Sequence, residues 1–252
     1  MSYQKLGGHQ PYVVAPQGAA PPTPPDYANA YLVLATDIVA TGTDITAWND
    51  ESPAADIYSP QGGGAAPQLS SINGVPAPLM GADDYFDGTD PTDDVFRSTG
   101  FELFGVAQPT GAGGSITPYY SCAALLTGID GWIVNGIAAD GVTMGYNGGT
   151  LGDVQVDDPV NILDNTPHVI RAWYDAATST LGLQVDDRAA VTLVTGEPPR
   201  ASDVPALRVG RSWDGLFQLL GRASVWVYPY LSVADRAQMY AFLAATYGVT
   251  VP

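Results

Sequence analysis

Six aspartates lie between positions 83 and 94, and carboxylates clustered in this way can bind a metal ion. Calcium takes about six to eight oxygen ligands, so the cluster is a candidate Ca²⁺ site with Asp84, Asp87 and Asp90 as ligands. The spacing differs from the D-x-[DN]-x-[DN]-G pattern of EF-hand loops. Aspartate is also a good turn former, so a purely structural role for the cluster stays open.

Residues that could catalyse hydrolysis are sparse in this chain. Glycoside hydrolysis needs two carboxylates that face one sugar bond, but the three glutamates are far apart in the sequence. They are Glu51, Glu102 and Glu197. A Ser-His-Asp triad would have to use His9, near the N-terminus, or His168, at the start of a strand. We therefore predict no catalytic residues, and we keep a divergent hydrolase acting through Glu102 as an alternative.

The net charge limits the partners of the chain. It is -17, with only nine basic residues, and Lys5 is the single lysine. A nucleic-acid binder needs a basic surface that displaces phosphate counterions, so we predict no nucleic-acid partner. The same sign of charge disfavours anionic membranes, and no stretch approaches the roughly eighteen apolar residues of a membrane span.

Composition favours one large all-β domain. The 252 residues are 46% hydrophobic, enough for a substantial core. Only 14% are charged, and 29 glycines and 21 prolines indicate many turns. The single cysteine, Cys122, excludes an intrachain disulfide and is either a small buried apolar residue or a reactive thiol.

Residues 1–26 are predicted to form an N-terminal arm, followed by one domain over residues 27–252. The arm is rich in proline, which favours extended chain that does not pack into a sheet. It is either a disordered terminus or an attachment arm that orders on a neighbouring subunit. Four apolar or aromatic residues favour attachment: Tyr3, Tyr12, Val13 and Val14.

The domain reads as a series of strands followed by one helix. Residues 180–185 alternate between apolar and small or polar types, and this period of two indicates a half-buried strand. Residues 222–228 are predicted to form another strand, with Ala223, Val225 and Val227 on one face and Ser224, Trp226 and Tyr228 on the other. Other strands are predicted at residues 30–35, 101–107, 121–127, 132–137, 142–146, 168–174, 189–194 and 206–210. Residues 53 to about 70 are interpreted as a loop, and residues 153–158 as an acidic connection. Ser232 and Gly248 are placed to cap a helix over residues 233–247.

The order of short motifs resembles a known family. The C-terminal third contains His168-Val169-Ile170, Tyr174-Asp175, Leu181-Gly182-Leu183, Val209-Gly210, Gly221, Val227-Tyr228, Leu231-Ser232 and Tyr247-Gly248. Together with Trp48-Asn49-Asp50-Glu51-Ser52 and Ile72-Asn73-Gly74-Val75-Pro76-Ala77, this order resembles the concanavalin A-like lectin/laminin-G domains of phage and bacterial surface proteins. The resemblance implies a two-sheet antiparallel jelly-roll sandwich with one C-terminal α-helix.

Sugar binding in such folds uses an exposed Trp or Tyr ring that stacks on a pyranose, and Asp or Asn that bonds its hydroxyls. The candidates lie at predicted strand ends or turns. They are Trp132, Tyr146, Asn147, Trp213 and Asp214. A position in the core or at its rim is the alternative for each of them.

Two functions follow as hypotheses from the resemblance. The first is a non-enzymatic phage virion protein, such as a head-decoration, head-fibre or tail-associated protein, whose arm binds capsid or tail proteins and whose lectin-like domain binds a surface glycan. It would be made in the host cytoplasm, because no signal peptide is visible, and it could form a homo-oligomer. The second is a bacterial carbohydrate-binding module or an enzyme accessory domain.

Overall fold

Antiparallel β-strands account for most of the described residues in the computed structural model. The model describes residues 22–62, 66–81, 83–89, 99–109, 117–124, 130–137, 141–147, 153–198, 206–211 and 221–252. The four predicted anchors of the arm lie outside the described residues: Tyr3, Tyr12, Val13 and Val14.

The strands follow one another along the chain with short connections. The first eight are β1 (Leu32–Leu34), β2 (Ile38–Thr41), β3 (Asp44–Asn49), β4 (Ile57–Gln61), β5 (Gln68–Ile72), β6 (Val75–Met80), β7 (Tyr85–Thr89) and β8 (Phe101–Pro109). The others are β9 (Thr117–Ala124), β10 (Asp130–Ile137), β11 (Gly141–Asn147), β12 (Asp153–Asp158), β13 (His168–Asp175), β14 (Thr180–Val185), β15 (Val191–Val194), β16 (Ala206–Val209) and β17 (Gly221–Tyr228). A short 3₁₀ helix, Tyr27–Asn29, precedes them, and the helix α1, Val233–Tyr247, follows them.

These strands form two antiparallel sheets. One, called the helix-bearing sheet, has the order β15-β14-β13-β8-β17, with β1 and β6 beside different parts of β17 and then β5, β3 and β2. The opposite sheet has the order β12-β11-β10-β9-β16-β7-β4. Strand β4 also pairs with β3, so it links the sheets at one edge. The predicted all-β, two-sheet antiparallel sandwich with a C-terminal helix is confirmed.

Strand β17 shows why the sequence folds into three layers. Ala223, Val225 and Val227 face the core between the two sheets. Trp226 and Tyr228 face the other side, where they pack against α1. Both faces of the strand are therefore buried, as expected for a strand whose last four residues are all apolar or aromatic.

The helix covers the outer face of the helix-bearing sheet. Its buried side chains are those that share one stripe in the sequence: Met239, Tyr240, Leu243 and Tyr247. Ser232 accepts a hydrogen bond from the amide of Asp235, and Gly248 ends the helix in the left-handed region at φ 63°. The predicted bounds and both caps are confirmed.

Several stretches without a predicted strand nevertheless pair into the sheets, and two of them had been given another interpretation. The acidic residues 153–158 form β12, because Val156 and, in part, Val154 face the core while Gln155 and Asp157 face solvent. The stretch interpreted as a loop contains β4, whose Tyr58 is fully buried. Interpreting residues 153–158 as a connection was wrong, because their charge hid the alternation that indicates a strand.

Candidate ligand-binding groove

An open groove lies where β17 runs into α1. Its volume is about 550 Å³, within the roughly 300–1,000 Å³ range of small-molecule sites. The side chains with ligand-binding chemistry that line it are Asp26, Asn29, Tyr230, Asp235 and Gln238.

The sequence Tyr228-Pro229-Tyr230 forms the floor of the groove and presents its aromatic ring. Tyr228 is the last residue of β17 and is fully buried, and its hydroxyl donates to the carbonyl of Pro25 at 3.2 Å. Pro229 ends the strand, since proline cannot donate to the sheet ladder. Tyr230 beyond it is 37% exposed, and the guanidinium of Arg236 lies 5.3 Å from its ring centroid.

The segment before β1 forms the facing wall. Asp26 accepts from the amide of Ala28 at 2.9 Å and so caps the 3₁₀ turn that contains Asn29. The side-chain amide of Gln238 donates to the carbonyls of Thr23 and Pro24, both at 3.1 Å. The last residues of the predicted arm therefore pack on the helix and shape the groove.

A buried ion network holds the corner between β17 and α1. Glu102 on β8 is fully buried, and its carboxylate accepts from Arg171 of β13 and from Arg236 of α1. It also accepts from the amide of Leu231 at 3.0 Å, in the turn that leads into the helix. Burial lowers the pKa of Arg236, but the hydrogen bond and the charge of Glu102 outweigh burial and raise it. This network fixes the backbone on which Tyr230 stands.

The chemistry of the groove is that of a binding site for a polar, ring-shaped ligand. A partly exposed aromatic ring offers an apolar surface, and carboxylate and amide groups around it offer hydrogen bonds. Within the described part of the chain, no group of three or more His, Cys, Asp or Glu side chains is arranged to hold a metal ion.

Two of the predicted sugar-binding residues lie in the core. Trp132 is 2% exposed and packs on Phe101 with ring centroids 4.9 Å apart. Tyr146 is fully buried, donates its hydroxyl to the carbonyl of Glu197 at 2.7 Å, and has a pKa raised to about 12, chiefly by burial. Neither ring presents a face to solvent, so the core alternative holds for both.

The other three predicted sugar-binding residues are not tested by the structure. Asn147 ends β11 opposite Asp153, and its side chain lies outside the described residues. Trp213 and Asp214 also lie outside the described residues. Their role in sugar binding stays a prediction.

The candidate calcium ligands have protein partners where they are described. Asp84 is buried and accepts from the amide of Gly81 at 2.8 Å, and burial raises its pKa. Asp87 forms a two-point ion pair with Arg208, with N–O distances of 2.7 and 2.9 Å. Asp90 lies outside the described residues. A structural role, the alternative to calcium binding, accounts for Asp84 and Asp87.

His168 lies between two carboxylates at the start of β13. Its Nδ1 is 2.7 Å from Asp186 and its Nε2 is 2.9 Å from Asp164. Burial lowers the pKa of His168, but the hydrogen bonds and charges of Asp186 and Asp164 outweigh burial and raise it. Asp186 also accepts from the amide of Val169 at 2.9 Å, so the group ties the hairpin after β14 to β13.

The motif around Trp48 is also structural. Trp48 is fully buried between the sheets. Asp50 accepts from the amides of Val33 and Ser52, both at 2.8 Å, and from the hydroxyl of Ser52 at 2.6 Å. Glu51 accepts from the amides of Thr36 and Asp37. The motif thus holds the turn after β1 against the end of β3.

The fold defines the chain as a two-sheet β-sandwich with a helix on one outer face and a groove beside the start of that helix. No family model and no curated protein matches the sequence. No helix in the described residues has the length and apolar character of a membrane span.

Solved structures with this architecture include receptor-binding domains of botulinum neurotoxins. The domain of the mosaic serotype C/D superposes with a TM-score of 0.61 at 7% identity, covering 86% of this chain and 51% of that one. The domain of neurotoxin DC, solved with rat synaptotagmin II, gives 0.59 at 11% identity, covering 88% and 52%. Neurotoxin type C, whose cell entry depends on two ganglioside molecules, gives 0.57 at 12% identity, covering 88% and 52%.

These comparisons show the fold, and this chain spans about half the length of the structures that it resembles. They place the chain among β-sandwich folds, while the predicted membership of the concanavalin A-like family stays a prediction.

Proposed function

We propose that this chain is a non-enzymatic glycan-binding domain that binds carbohydrate in the groove beside Tyr230. The observation that carries the proposal is the partly exposed Tyr230 ring, held by a buried ion network and surrounded by carboxylate and amide groups. A pyranose has an apolar face that can stack on such a ring, and its hydroxyls can bond to the polar groups around it. Placing the ring at a strand–helix connection on a rigid sandwich is typical of binding sites.

The comparisons support this proposal, because a protein with a similar fold interacts with a ligand that carries a glycan. Botulinum neurotoxin type C, which resembles this chain in fold, interacts with gangliosides, which are glycolipids. Fold alone does not fix function, so the proposal depends on the groove and not on the likeness.

The surroundings of the acidic residues support a binding role without catalysis. Glu102 is fully buried and its carboxylate is occupied by two arginines, so a substrate cannot reach it in this arrangement. Asp26 and Asp235 line the groove, but each already accepts a hydrogen bond within the protein, Asp26 from the amide of Ala28 and Asp235 from the hydroxyl of Ser232.

A glycan array probed with the full chain tests the proposal, and calorimetry with the strongest ligand gives its affinity. Tyr230→Ala should weaken binding at least tenfold, because it removes the stacking surface. Ile57→Ala is the matched control: Ile57 is 63% exposed on β4, outside the groove, and its loss should leave affinity unchanged. Failure of every glycan to bind, or equal affinity of Tyr230→Ala and the unmodified chain, would contradict the proposal.

We further propose that the arm attaches the domain to the capsid or tail of a virion. Support comes from the aromatic and apolar residues in the Pro-rich arm and from the docking of Thr23 and Pro24 on Gln238, which fixes where the arm leaves the domain. Light scattering after size exclusion should show an oligomer for the full chain and a monomer when residues 1–21 are removed. A monomer in both cases would favour a free bacterial carbohydrate-binding module.

A further inference from the structure

The charges around the groove narrow the class of glycan that it can bind. The described residues that line it include the carboxylates of Asp26 and Asp235 and no lysine, arginine or histidine. The whole chain has the same sign, with a net charge of -17. An anionic ligand would therefore enter a negative groove on a negative protein.

The cation beside the groove, Arg236, is already paired with a buried carboxylate. Arg236 donates from Nε to Glu102 at 2.6 Å and from Nη2 to Glu102 at 3.2 Å and to the carbonyl of Leu231 at 3.0 Å. Its side chain is 17% exposed, and that of Arg171, the other arginine on Glu102, is 8% exposed. The charge of Arg236 is thus already compensated by the buried Glu102, and a ligand carboxylate would have to compete with that pair.

Three side chains of the groove, Asp26, Asp235 and Gln238, favour ligands that donate, while Asn29 and Tyr230 can both donate and accept. When ionised, Asp26 and Asp235 can only accept hydrogen bonds, and each has a second carboxylate oxygen besides the one that accepts from Ala28 or from Ser232. Gln238 uses its NH₂ group on Thr23 and Pro24, so its remaining polar atom is the acceptor Oε1. Neutral sugars present several hydroxyl donors, whereas carboxylate and sulfate groups present acceptors only.

We propose that the groove selects uncharged glycans and rejects sialylated or sulfated ones. This inference rests on the proposed glycan-binding function. A ligand carboxylate about 6 Å from one groove carboxylate, at an effective dielectric constant of about 40, is disfavoured by roughly tenfold in affinity. Neutral glycans avoid this repulsion and satisfy the acceptors.

One glycan array, probed with the full chain, tests the inference. It carries matched pairs of a neutral oligosaccharide and its sialylated or sulfated derivative, such as lactose and 3′-sialyllactose. The neutral member of each bound pair should bind at least tenfold more tightly at low salt. The double variant Asp26→Asn, Asp235→Asn should narrow that affinity ratio to about threefold or less, since asparagine can still accept from Ala28 and from Ser232 but carries no charge. Higher salt should also narrow the affinity ratio between neutral and acidic glycans in the unmodified chain.

The outcomes separate the two proposals. Equal or tighter binding of the acidic members would overturn the charge selection and leave glycan binding intact. A ratio that does not change in the double variant would overturn the assignment of selection to Asp26 and Asp235. Failure of all glycans, neutral and acidic, would overturn the proposed function itself, and the inference with it.

Discussion

Arg236 on α1 and Glu102 on β8 form a buried ion pair, with Nε 2.6 Å from Oε1 and Nη2 3.2 Å from Oε2. They are 134 residues apart in the sequence. The pair joins the start of the helix to the middle of the helix-bearing sheet. Because Glu102 also accepts from the amide of Leu231, the same carboxylate fixes the turn that presents Tyr230.

Removal of the Glu102 carboxylate should destabilise the fold strongly. Glu102→Ala leaves two arginines beside an apolar site without their partner, and breaking a buried ion pair in this way costs about 3–5 kcal/mol. Urea unfolding measures the change. Asp187→Asn is the control, because Asp187 is exposed in the hairpin after β14 and should change stability by less than about 0.5 kcal/mol. A loss below about 1 kcal/mol for Glu102→Ala would show that the network does not stabilise the corner.

The group around His168 should make stability depend on pH in the neutral and mildly alkaline range. The pKa of His168 is raised above its ordinary value of 6.5 by Asp186 and Asp164. Its stabilisation is therefore fully present below pH 6.5 and is lost as the pH rises through the raised pKa. Unfolding free energies from pH 5.5 to 9 should show this decline in the unmodified chain and a flatter profile in His168→Gln.

Asp164 should make the free energy of unfolding fall as the pH falls in the acid range, the opposite pH dependence to that of His168. Partial burial raises its pKa, but hydrogen bonds with His168 and Thr166 outweigh burial and lower the pKa to about 2. Its contribution is present above about pH 3.8 and is lost as the pH falls towards 2. An Asp164→Asn variant should lose less stability than the unmodified chain between pH 4 and pH 2. Identical acid profiles would contradict the pairing with His168.

The packing of α1 against the helix-bearing sheet should contribute to the free energy of unfolding as other core packing does. Leu243 is fully buried against the helix-bearing sheet, so Leu243→Ala should cost about 2–5 kcal/mol in unfolding free energy. Val233, at the start of the same helix, is 79% exposed, and Val233→Ala should change stability by less than about 0.5 kcal/mol. Similar effects of the two substitutions would contradict the placement of the helix.

The base of the arm should be needed for ligand binding, while the residues before it should not. A chain without residues 1–21 retains Thr23, Pro24 and Asp26 and should bind glycan as the full chain does. A chain without residues 1–26 loses one wall of the groove and should bind at least tenfold more weakly. Calorimetry with one glycan compares the affinities of both shortened chains. Equal affinities would show that residues 22–26 do not contribute to the binding site. Circular dichroism confirms that both remain folded.

Local patterns in the sequence predict much of this fold. The alternation in β17 and the capped apolar stripe of α1 each depend on neighbouring residues, and the structure confirms both. The strand β12 was missed because three of its six residues are aspartates, although Val154 and Val156 keep the period of two.

The groove could not be predicted in the same way. It joins Asp26 and Asn29 to Tyr230 and Gln238, which lie about two hundred positions later, and no local pattern indicates that they meet. The available signal was Pro229, which ends β17 and so turns the next aromatic residue towards solvent. Two of the three aromatic residues chosen from the sequence, Trp132 and Tyr146, are buried because their side chains face the other sheet.

The most direct test of the central claim is to locate a bound glycan by NMR. The full chain is titrated with the strongest glycan from the array while amide and side-chain resonances are followed. We expect the largest shifts at Tyr230, Asn29 and Gln238, and loss of these shifts in Tyr230→Ala. Shifts confined to other surfaces, such as the end of β11 at Asn147, would show that the chain binds glycan elsewhere and would contradict the assignment of the groove.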